Sequence, residues 1–158
     1  MLFLRLRLVV KDRDGREVSV NFHTDDRGAS FAQHSQKGST LAILYGQQHG
    51  FMDGSIGIRV EMSEFVKVLP FSMEELLEAS DYLSKDGRKE KCGNCEAKGS
   101  QTEGGLKMCS RCKEASYCGR ECQKKAWAKE HKRVCKAVKA LDCLTSKAWD
   151  TFEGWFRF

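Results

Sequence analysis

Cysteine and histidine side chains are concentrated in one short stretch of this 158-residue chain. Seven of its eight cysteines and one of its four histidines fall within residues 92–135. They form four close pairs, in chain order Cys92-x2-Cys95, Cys109-x2-Cys112, Cys118-x3-Cys122 and His131-x3-Cys135. Thiolate and imidazole ligands at such spacings bind zinc tetrahedrally. Eight ligands complete two sites, so the sequence predicts two zinc ions per chain.

Disulfide bonds are the alternative use of these cysteines. They would require an oxidising compartment. The chain opens with the residues MLFLRLR, which contain no basic n-region, long apolar h-region or small-residue cleavage site of a signal peptide. We therefore expect an intracellular, reducing compartment, either nucleus or cytoplasm, and zinc in place of disulfides. Because protein side chains fill every coordination position, the zinc is expected to be structural, not catalytic.

The spacing alone leaves the pairing of the ligands open. A Cys-x2-Cys turn directs both sulfurs at one ion, and the last two pairs have the four-residue spacing of side chains on one helix face. Pairing in sequence order would join the first two pairs in one site and the last two in another. Cys118 follows Cys112 by only six positions, however, so an interleaved cross-brace is equally reachable.

The array as a whole resembles the MYND-type zinc finger. The resemblance covers about residues 92–135 and includes Tyr117-Cys118, Cys122-Gln123 and Trp127 in addition to the ligand spacing. RING fingers place their histidine in the middle of the array, and PHD fingers use other spacings. The HIT-type finger shares the Tyr-Cys element, but Cys-Gln followed by a helical tryptophan favours MYND.

Two ligand sets follow from this resemblance, because MYND fingers hold their metals crosswise. The first set would be Cys92, Cys95, Cys118 and Cys122. The second would be Cys109, Cys112, His131 and Cys135. One departure from the family concerns the helix: Trp127-x3-His131 has one residue more than members with Trp-x2-His.

The resemblance also implies a function. MYND fingers commonly dock short proline-containing peptides, typically of Pro-x-Leu-x-Pro type, on a strand edge and a neighbouring helix. Matching the motif residue by residue assigns this role to Ser110, Gln123 and Trp127. We therefore expect a protein-protein interaction adaptor whose partners carry such motifs.

Two other classes of function remain as alternatives. A lysine-rich predicted helix suggests nucleic-acid binding, since residues 85–147 hold 17 Lys and Arg against 8 Asp and Glu. Its basic residues are Lys124, Lys125, Lys129, Lys132, Arg133, Lys136 and Lys139. We favour a solvated helix face for them, because zinc-bound thiolates nearby would offset part of this charge and no aromatics alternate with them for base stacking. A fragment of a SET-type protein methyltransferase is the second alternative, but we find no Asn-His or Tyr-bearing motif of that fold and expect no enzyme.

The elements before residue 85 predict a small α+β domain, β-grasp-like in its order β-β-α-β-β-α. Alternation over residues 2–8 and 18–22, with turn residues between them, predicts a β-hairpin. Residues 40–48 have helical spacing, and residues 56–60 and 65–69 predict strands. A capping box, Ser72-x2-Glu75, opens a helix through about Leu83.

The predicted organisation has four segments: an α+β domain at 1–84, a polar linker at 85–91, the finger at 92–135, and a C-terminal helix with an aromatic tail at 136–158. The tail contains Trp149, Phe152, Trp155, Phe156 and Phe158. It is expected either to dock on the protein or to be an exposed anchor for a partner. No segment is apolar and long enough to predict a membrane span.

Overall fold

The computed structural model describes residues 4–99, 104–151 and 154–158. These residues divide into two compact units, one containing Met1–Met73 with Lys147–Phe158 and the other Glu74–Ser146. The fold is a mixture of helix and strand, as the α+β class predicts. The unit that contains the finger thus begins and ends outside residues 92–135. The predicted four-segment organisation stays a prediction.

The first unit is mostly β-structure. Its elements are β1 (Arg7–Lys11), β2 (Glu17–Phe22), α1 (Ala29–Ala32), β3 (Thr40–Ile43), β4 (Gln48–Gly50), β5 (Ile56–Val60), a 3-10 turn (Ser63–Phe65), β6 (Val66–Leu69) and a second 3-10 turn (Trp149–Thr151). Four strands form a mixed sheet in the order β1-β2-β5-β4, in which only β2 and β5 run parallel. Strands β3 and β6 form a separate antiparallel pair.

The predicted hairpin is present as β1 and β2. In the turn between them, the Asp12 carboxylate accepts the backbone N–H groups of Asp14 and Arg16, at 2.9 and 2.8 Å. Gly15 takes the left-handed conformation (φ 81°) that closes the turn. The first strand begins at Arg7, later than the alternation predicts, and residues 1–3 of the prediction lie outside the described residues.

The helix predicted over residues 40–48 is wrong. Strand β3 covers Thr40–Ile43 instead, with Thr40 opposite Leu69 and Ile43 opposite Val66 in β6. Pairing lets Leu41 and Ile43 pack against the core of the unit, which lies around Val20, Phe22, Val60 and Val66. Tertiary pairing therefore overrides the local helical spacing. The strand predicted over residues 56–60 is confirmed as β5, and β6 matches residues 65–69 within one residue.

The second unit is mostly helical. Its elements are α2 (Met73–Leu83), β7 (Lys107–Met108), β8 (Ser116–Tyr117), α3 (Arg120–Ala126), a π-helical turn (Trp127–His131), α4 (Lys132–Ala140) and α5 (Asp142–Thr145). The helix predicted from the capping box is confirmed as α2, whose first residue is the last of the first unit. It packs beside the finger helices, since Arg133 pairs with Glu78 and Lys85 pairs with Glu130, both at 2.7 Å.

The aromatic tail docks within the first unit. The Trp155 ring lies edge-on to the Tyr45 ring, with centroids 4.5 Å apart, and the Phe156 N–H donates to the Tyr45 hydroxyl at 2.9 Å. The Phe158 N–H donates to the Glu64 carbonyl at 2.8 Å. Trp155 keeps 67% of its surface exposed. The tail therefore contacts the unit through one side of the Trp155 ring and leaves the rest of that ring exposed. Phe152 lies outside the described residues.

Candidate metal centres

Both Cys-x2-Cys pairs lie in turns of the same design. In the first turn, Glu96 takes the left-handed conformation (φ 61°) and its N–H donates to the Cys92 carbonyl at 2.9 Å. In the second turn, Lys113 is also left-handed (φ 59°), and its N–H donates to the Cys109 carbonyl at 3.0 Å. Each left-handed residue lies four positions after the first cysteine of its pair. Their common conformation reverses the chain so that both sulfurs face the same side.

The other ligand candidates lie on or just before one continuous helical run. Cys118 directly follows β8, and Cys122 lies in the first turn of α3. His131 ends the π-helical turn, and Cys135 lies in α4. Because α3, the π-helical turn and α4 follow one another without a break, a single helical segment carries candidates of both groups.

The eight side chains come together as two interleaved groups. Site 1 is defined as Cys92, Cys95, Cys118 and Cys122, and site 2 as Cys109, Cys112, His131 and Cys135. Within each group all ligand atoms lie within 4.8 Å of one another. The structure therefore has the cross-braced arrangement and not the pairing in sequence order. No other such group of His, Cys, Asp and Glu side chains occurs among the described residues.

The distances inside both groups fit tetrahedral zinc. With Zn–S bonds near 2.3 Å and Zn–N bonds near 2.0 Å, an ideal tetrahedron has S···S edges of about 3.8 Å and S···N edges of about 3.5 Å. In site 1, the Cys95 sulfur lies 3.5 Å from that of Cys118 and 4.0 Å from that of Cys122. In site 2, Cys109 and Cys135 sulfurs are 3.9 Å apart, and Cys112 Sγ lies 3.5 Å from His131 Nε2.

The pKa values of the thiols in site 1 also favour a bound cation. Burial opposes ionisation of Cys92, but backbone N–H groups of Cys95, Asn94 and Cys118 donate toward its sulfur and lower its pKa to about 6. Hydrogen bonding to Cys95, with some burial and with Cys92 close by, raises the pKa of Cys118 to about 12. Thiols this close cannot all ionise unless a positive ion offsets their charge. A dication that binds thiolates supplies that charge.

Site 2 is the more deeply enclosed of the two. All four of its side chains are buried, whereas in site 1 only Cys92 is buried and Cys95 is exposed. Burial first, and then the nearby Cys112 and Cys109, raises the pKa of Cys135 to about 12. Burial in site 2 therefore opposes ionisation of this thiol unless a metal ion is bound.

The histidine of site 2 is held among three aromatic rings. Centroids of Tyr82, Trp127 and Tyr117 lie 5.7, 5.8 and 6.0 Å from that of His131. Burial lowers the pKa of His131, which favours the neutral imidazole that a metal requires. The spacing identifies the histidine as a candidate ligand, but it carries no signal for the contact with Tyr82, which lies in α2, far from His131 along the chain.

The three predicted peptide-binding residues lie on two neighbouring elements. Ser110 is exposed in the turn between β7 and β8, and Gln123 and Trp127 are half-buried at four-residue spacing on the helical run. Arg111, the residue after Ser110, contacts Trp127: its guanidinium carbon lies 5.7 Å from the ring centroid. The turn that carries Ser110 therefore lies beside Trp127.

The extra residue between Trp127 and His131 coincides with the π-helical turn. The Lys132 N–H reaches back to the Trp127 carbonyl, five positions earlier, which is the hydrogen bond of a π-helix. Such a turn accommodates one additional residue in a helix without breaking it. The tryptophan thereby keeps its ring contact with His131 despite the longer spacing.

The basic helix residues are only partly neutralised. Lys124 pairs with Glu121 at 3.0 Å, and Lys139 pairs with Asp142 at 2.9 Å. Within the part of the chain that the structure describes, Lys125, Lys129, Lys132 and Lys136 have no acidic partner. Exposed pairs of this kind contribute little stability. None of the described helices has both the length and the apolar character needed to cross a bilayer.

Comparison with known proteins identifies the finger. The family model described as MYND finger matches residues 90–135. The chain is 42% identical over 77 residues to human histone-lysine N-methyltransferase SMYD3, which is 46% of this chain and 17% of that protein. It is 37% identical over 71 residues to N-lysine methyltransferase SMYD2 of Gallus gallus, which is 45% of this chain and 14% of that protein.

A third relative is SET domain-containing protein 14 of Caenorhabditis elegans, 42% identical over 57 residues, which is 36% of this chain and 12% of that protein. The chain thus spans 17% or less of the length of these three relatives. No solved structure gives a significant match.

The segment that the family model matches, residues 90–135, contains both metal groups. MYND fingers are non-catalytic zinc-binding domains that mediate protein-protein interactions. The chain contains a MYND-type double-zinc finger at residues 90–135.

Proposed function

We propose that the finger docks short proline-containing peptides of Pro-x-Leu-x-Pro type, and that the protein acts as an adaptor for partners that carry them. Ser110 and the open edge of β7 would meet the peptide backbone, and Gln123 and Trp127 would meet its side chains. The observation that carries this proposal is the half-buried Trp127 ring beside the turn of Ser110 and Arg111. Among the described residues β7 pairs only with β8, which leaves one strand edge for peptide hydrogen bonds.

We also propose the zinc ligands. Site 1 and site 2 would each hold one Zn²⁺ through all four of their side chains. This assignment is supported by sulfur separations close to the edges of a zinc tetrahedron. With no coordination position left for water or substrate, both ions would stabilise the fold and take no part in a reaction.

We propose further that the residues of this chain serve binding and not catalysis. The relatives named as methyltransferases match over a small share of their length, so their activity is not assigned to this chain. Incubation with S-adenosylmethionine and histones tests this point, and methyl transfer above the level of a heat-treated sample would contradict it. The thiol-rich sites suit a reducing compartment, nucleus or cytoplasm.

An amide NMR titration of the zinc-loaded protein tests peptide docking. A Pro-x-Leu-x-Pro peptide should produce saturable shifts around Ser110, Gln123 and Trp127, and a scrambled peptide should not. Gln123→Ala should weaken binding while the zinc content stays at two. Because the Trp127 ring also contacts His131, Trp127→Phe is the better variant for the helix, since it keeps an aromatic ring against the histidine. The absence of shifts at millimolar peptide would refute the proposal.

A further inference from the structure

We propose that Arg111 selects peptides with an acidic side chain close to the residue that packs on Trp127. This inference rests on the proposed peptide docking and specifies the chemistry of the partner. Its basis is one contact: the exposed Arg111 guanidinium lies over the half-buried Trp127 ring, 5.7 Å from its centroid.

The cation–π contact with the ring orients the guanidinium and leaves its hydrogen-bonding groups available. A guanidinium that stacks on an aromatic face keeps its N–H donors directed outward from its edge. Those donors match the two oxygens of a carboxylate. The contact with Trp127 therefore restricts the Arg111 side chain, which reduces the conformational entropy lost when a peptide carboxylate binds it.

Among the described residues, the acidic side chains nearest to Arg111 in sequence are already engaged by other cations. Glu114 accepts Arg88 and Lys89, each at 2.8 Å, and Glu121 pairs with Lys124 at 3.0 Å. Among the described residues, Arg111 makes no ion pair. Its own turn also carries the basic Lys113, which adds to the positive charge at this position. The positive charge beside Trp127 is thus complementary to an acidic partner.

The distance from ring to guanidinium sets where the acidic residue should be. An extended peptide advances about 3.3 Å per residue. With the first or last proline of the core docked on Trp127, a separation of 5.7 Å corresponds to an acidic residue about two positions outside the core. Peptides with glutamate at that distance should bind more tightly than peptides with glutamine there.

A set of fluorescent peptides tests the selectivity. Each contains the Pro-x-Leu-x-Pro core with Glu, Gln or Lys two residues before or after it, and affinities are measured on the full zinc-loaded chain at low and high salt. The variants are Arg111→Gln and, as matched control, Lys113→Gln, which removes a positive charge from the same turn without touching the ring. Zinc content and NMR dispersion verify that both variants are folded.

The wild-type protein should bind the Glu peptide roughly twofold to fivefold more tightly than the Gln peptide at low salt, the range of an exposed ion pair. Arg111→Gln should abolish this preference, Lys113→Gln should keep it, and added salt should reduce it. Equal affinities for Glu and Gln peptides in the wild type would overturn the role of Arg111 while leaving peptide docking intact. A uniform gain in affinity in Arg111→Gln would also overturn it, because Arg111 would then block access to Trp127.

Failure of every peptide to bind would refute both proposals. A 20-base-pair duplex is included as a competitor for that case. If only the duplex binds, and Arg111→Gln weakens that binding, Arg111 serves phosphate recognition and the acidic-peptide proposal is wrong.

Discussion

Substitution of His131 by alanine provides the sharpest test of how the finger is stabilised. His131 belongs to site 2, whose four side chains are all buried. The substitution removes one of four ligands and also the ring that Tyr82, Tyr117 and Trp127 surround. It leaves three thiols crowded together in the interior. We expect the variant to lose the zinc of site 2 and the fold of the second unit.

The size of the effect follows from what else stabilises this unit. Its buried side chains include Cys92, Cys109, Cys112, Cys135 and His131, so the candidate ligands form a large part of its core. Structural zinc in finger peptides contributes roughly 10 to 16 kcal/mol near neutral pH. An ordinary domain is stable by roughly 5 to 15 kcal/mol in total. Loss of the ion should therefore unfold the unit completely.

Zinc counting and NMR together provide the assay. A chromophoric chelator, added after denaturation, should find two zinc ions per wild-type chain and at most one in His131→Ala. Amide signals of residues 90–140 should collapse toward random-coil positions. Signals of β2 and β5 should persist, because the first unit has its own core around Phe22 and Val60. Cys143→Ser is the control, since Cys143 belongs to neither site and donates to the Ala140 carbonyl at 3.2 Å.

Either of two results would refute this reasoning. A His131→Ala protein with two bound zinc ions would show that His131 is not a ligand. A variant that loses one zinc but keeps dispersed signals over residues 90–140 would show that the ion is not needed for the fold. Cys112→Ser removes a ligand of the same site without removing an aromatic neighbour, so it separates loss of the metal from loss of packing.

Three further predictions concern both units. Because site 1 is the more exposed, a chelator should remove one zinc quickly and the second slowly, and two equal rates would contradict this. Gly57→Ala should destabilise the first unit by about 1 to 3 kcal/mol in chemical denaturation, because the added Cβ would lie 2.5 Å from the Ser19 carbonyl oxygen. Gly50→Ala is the control: its Cβ would meet nothing within 4 Å, so it should destabilise the unit much less. The hydroxyl of Thr24 and further hydrogen-bond donors hold the pKa of Asp26 below its ordinary 3.8. The ionised Asp26 should therefore stabilise the first unit fully above pH 3.8, and this stabilisation should be lost as the pH falls below that value. Asp26→Asn should remove this pH dependence from the unfolding of the first unit.

The sequence predicted those elements whose signals are local. The hairpin β1 and β2 follows from alternation and a turn closed by Gly15, and α2 follows from its capping box and helical spacing. The segment Thr40–Ile43 has the same kind of helical spacing, yet it is a strand. Its partner β6 lies more than twenty residues later, and a local pattern carries no information about such pairing.

The sequence predicted which residues are candidate ligands, but it did not predict how they are grouped into two sites. Residue type and short spacing were enough to single out seven cysteines and His131, because coordination needs sulfurs and nitrogens that a turn or one helix face brings together. Spacing could not choose between sequential and interleaved sites, because both are within reach of the chain. The path of the backbone determines the interleaved grouping. The first Cys-x2-Cys turn lies beside β8, where Cys92 bridges to Ser116, and the second lies beside the helical run, where Arg111 contacts Trp127.

The sequence by itself thus determined a zinc finger with eight candidate ligands. Only the tertiary structure decided that α2 packs beside it, that Tyr82 contacts His131, and that Arg111 contacts Trp127. These contacts join residues that lie far apart in the chain. Their formation depends on the excluded volume and pairing of the whole fold, which spacing along one segment does not encode.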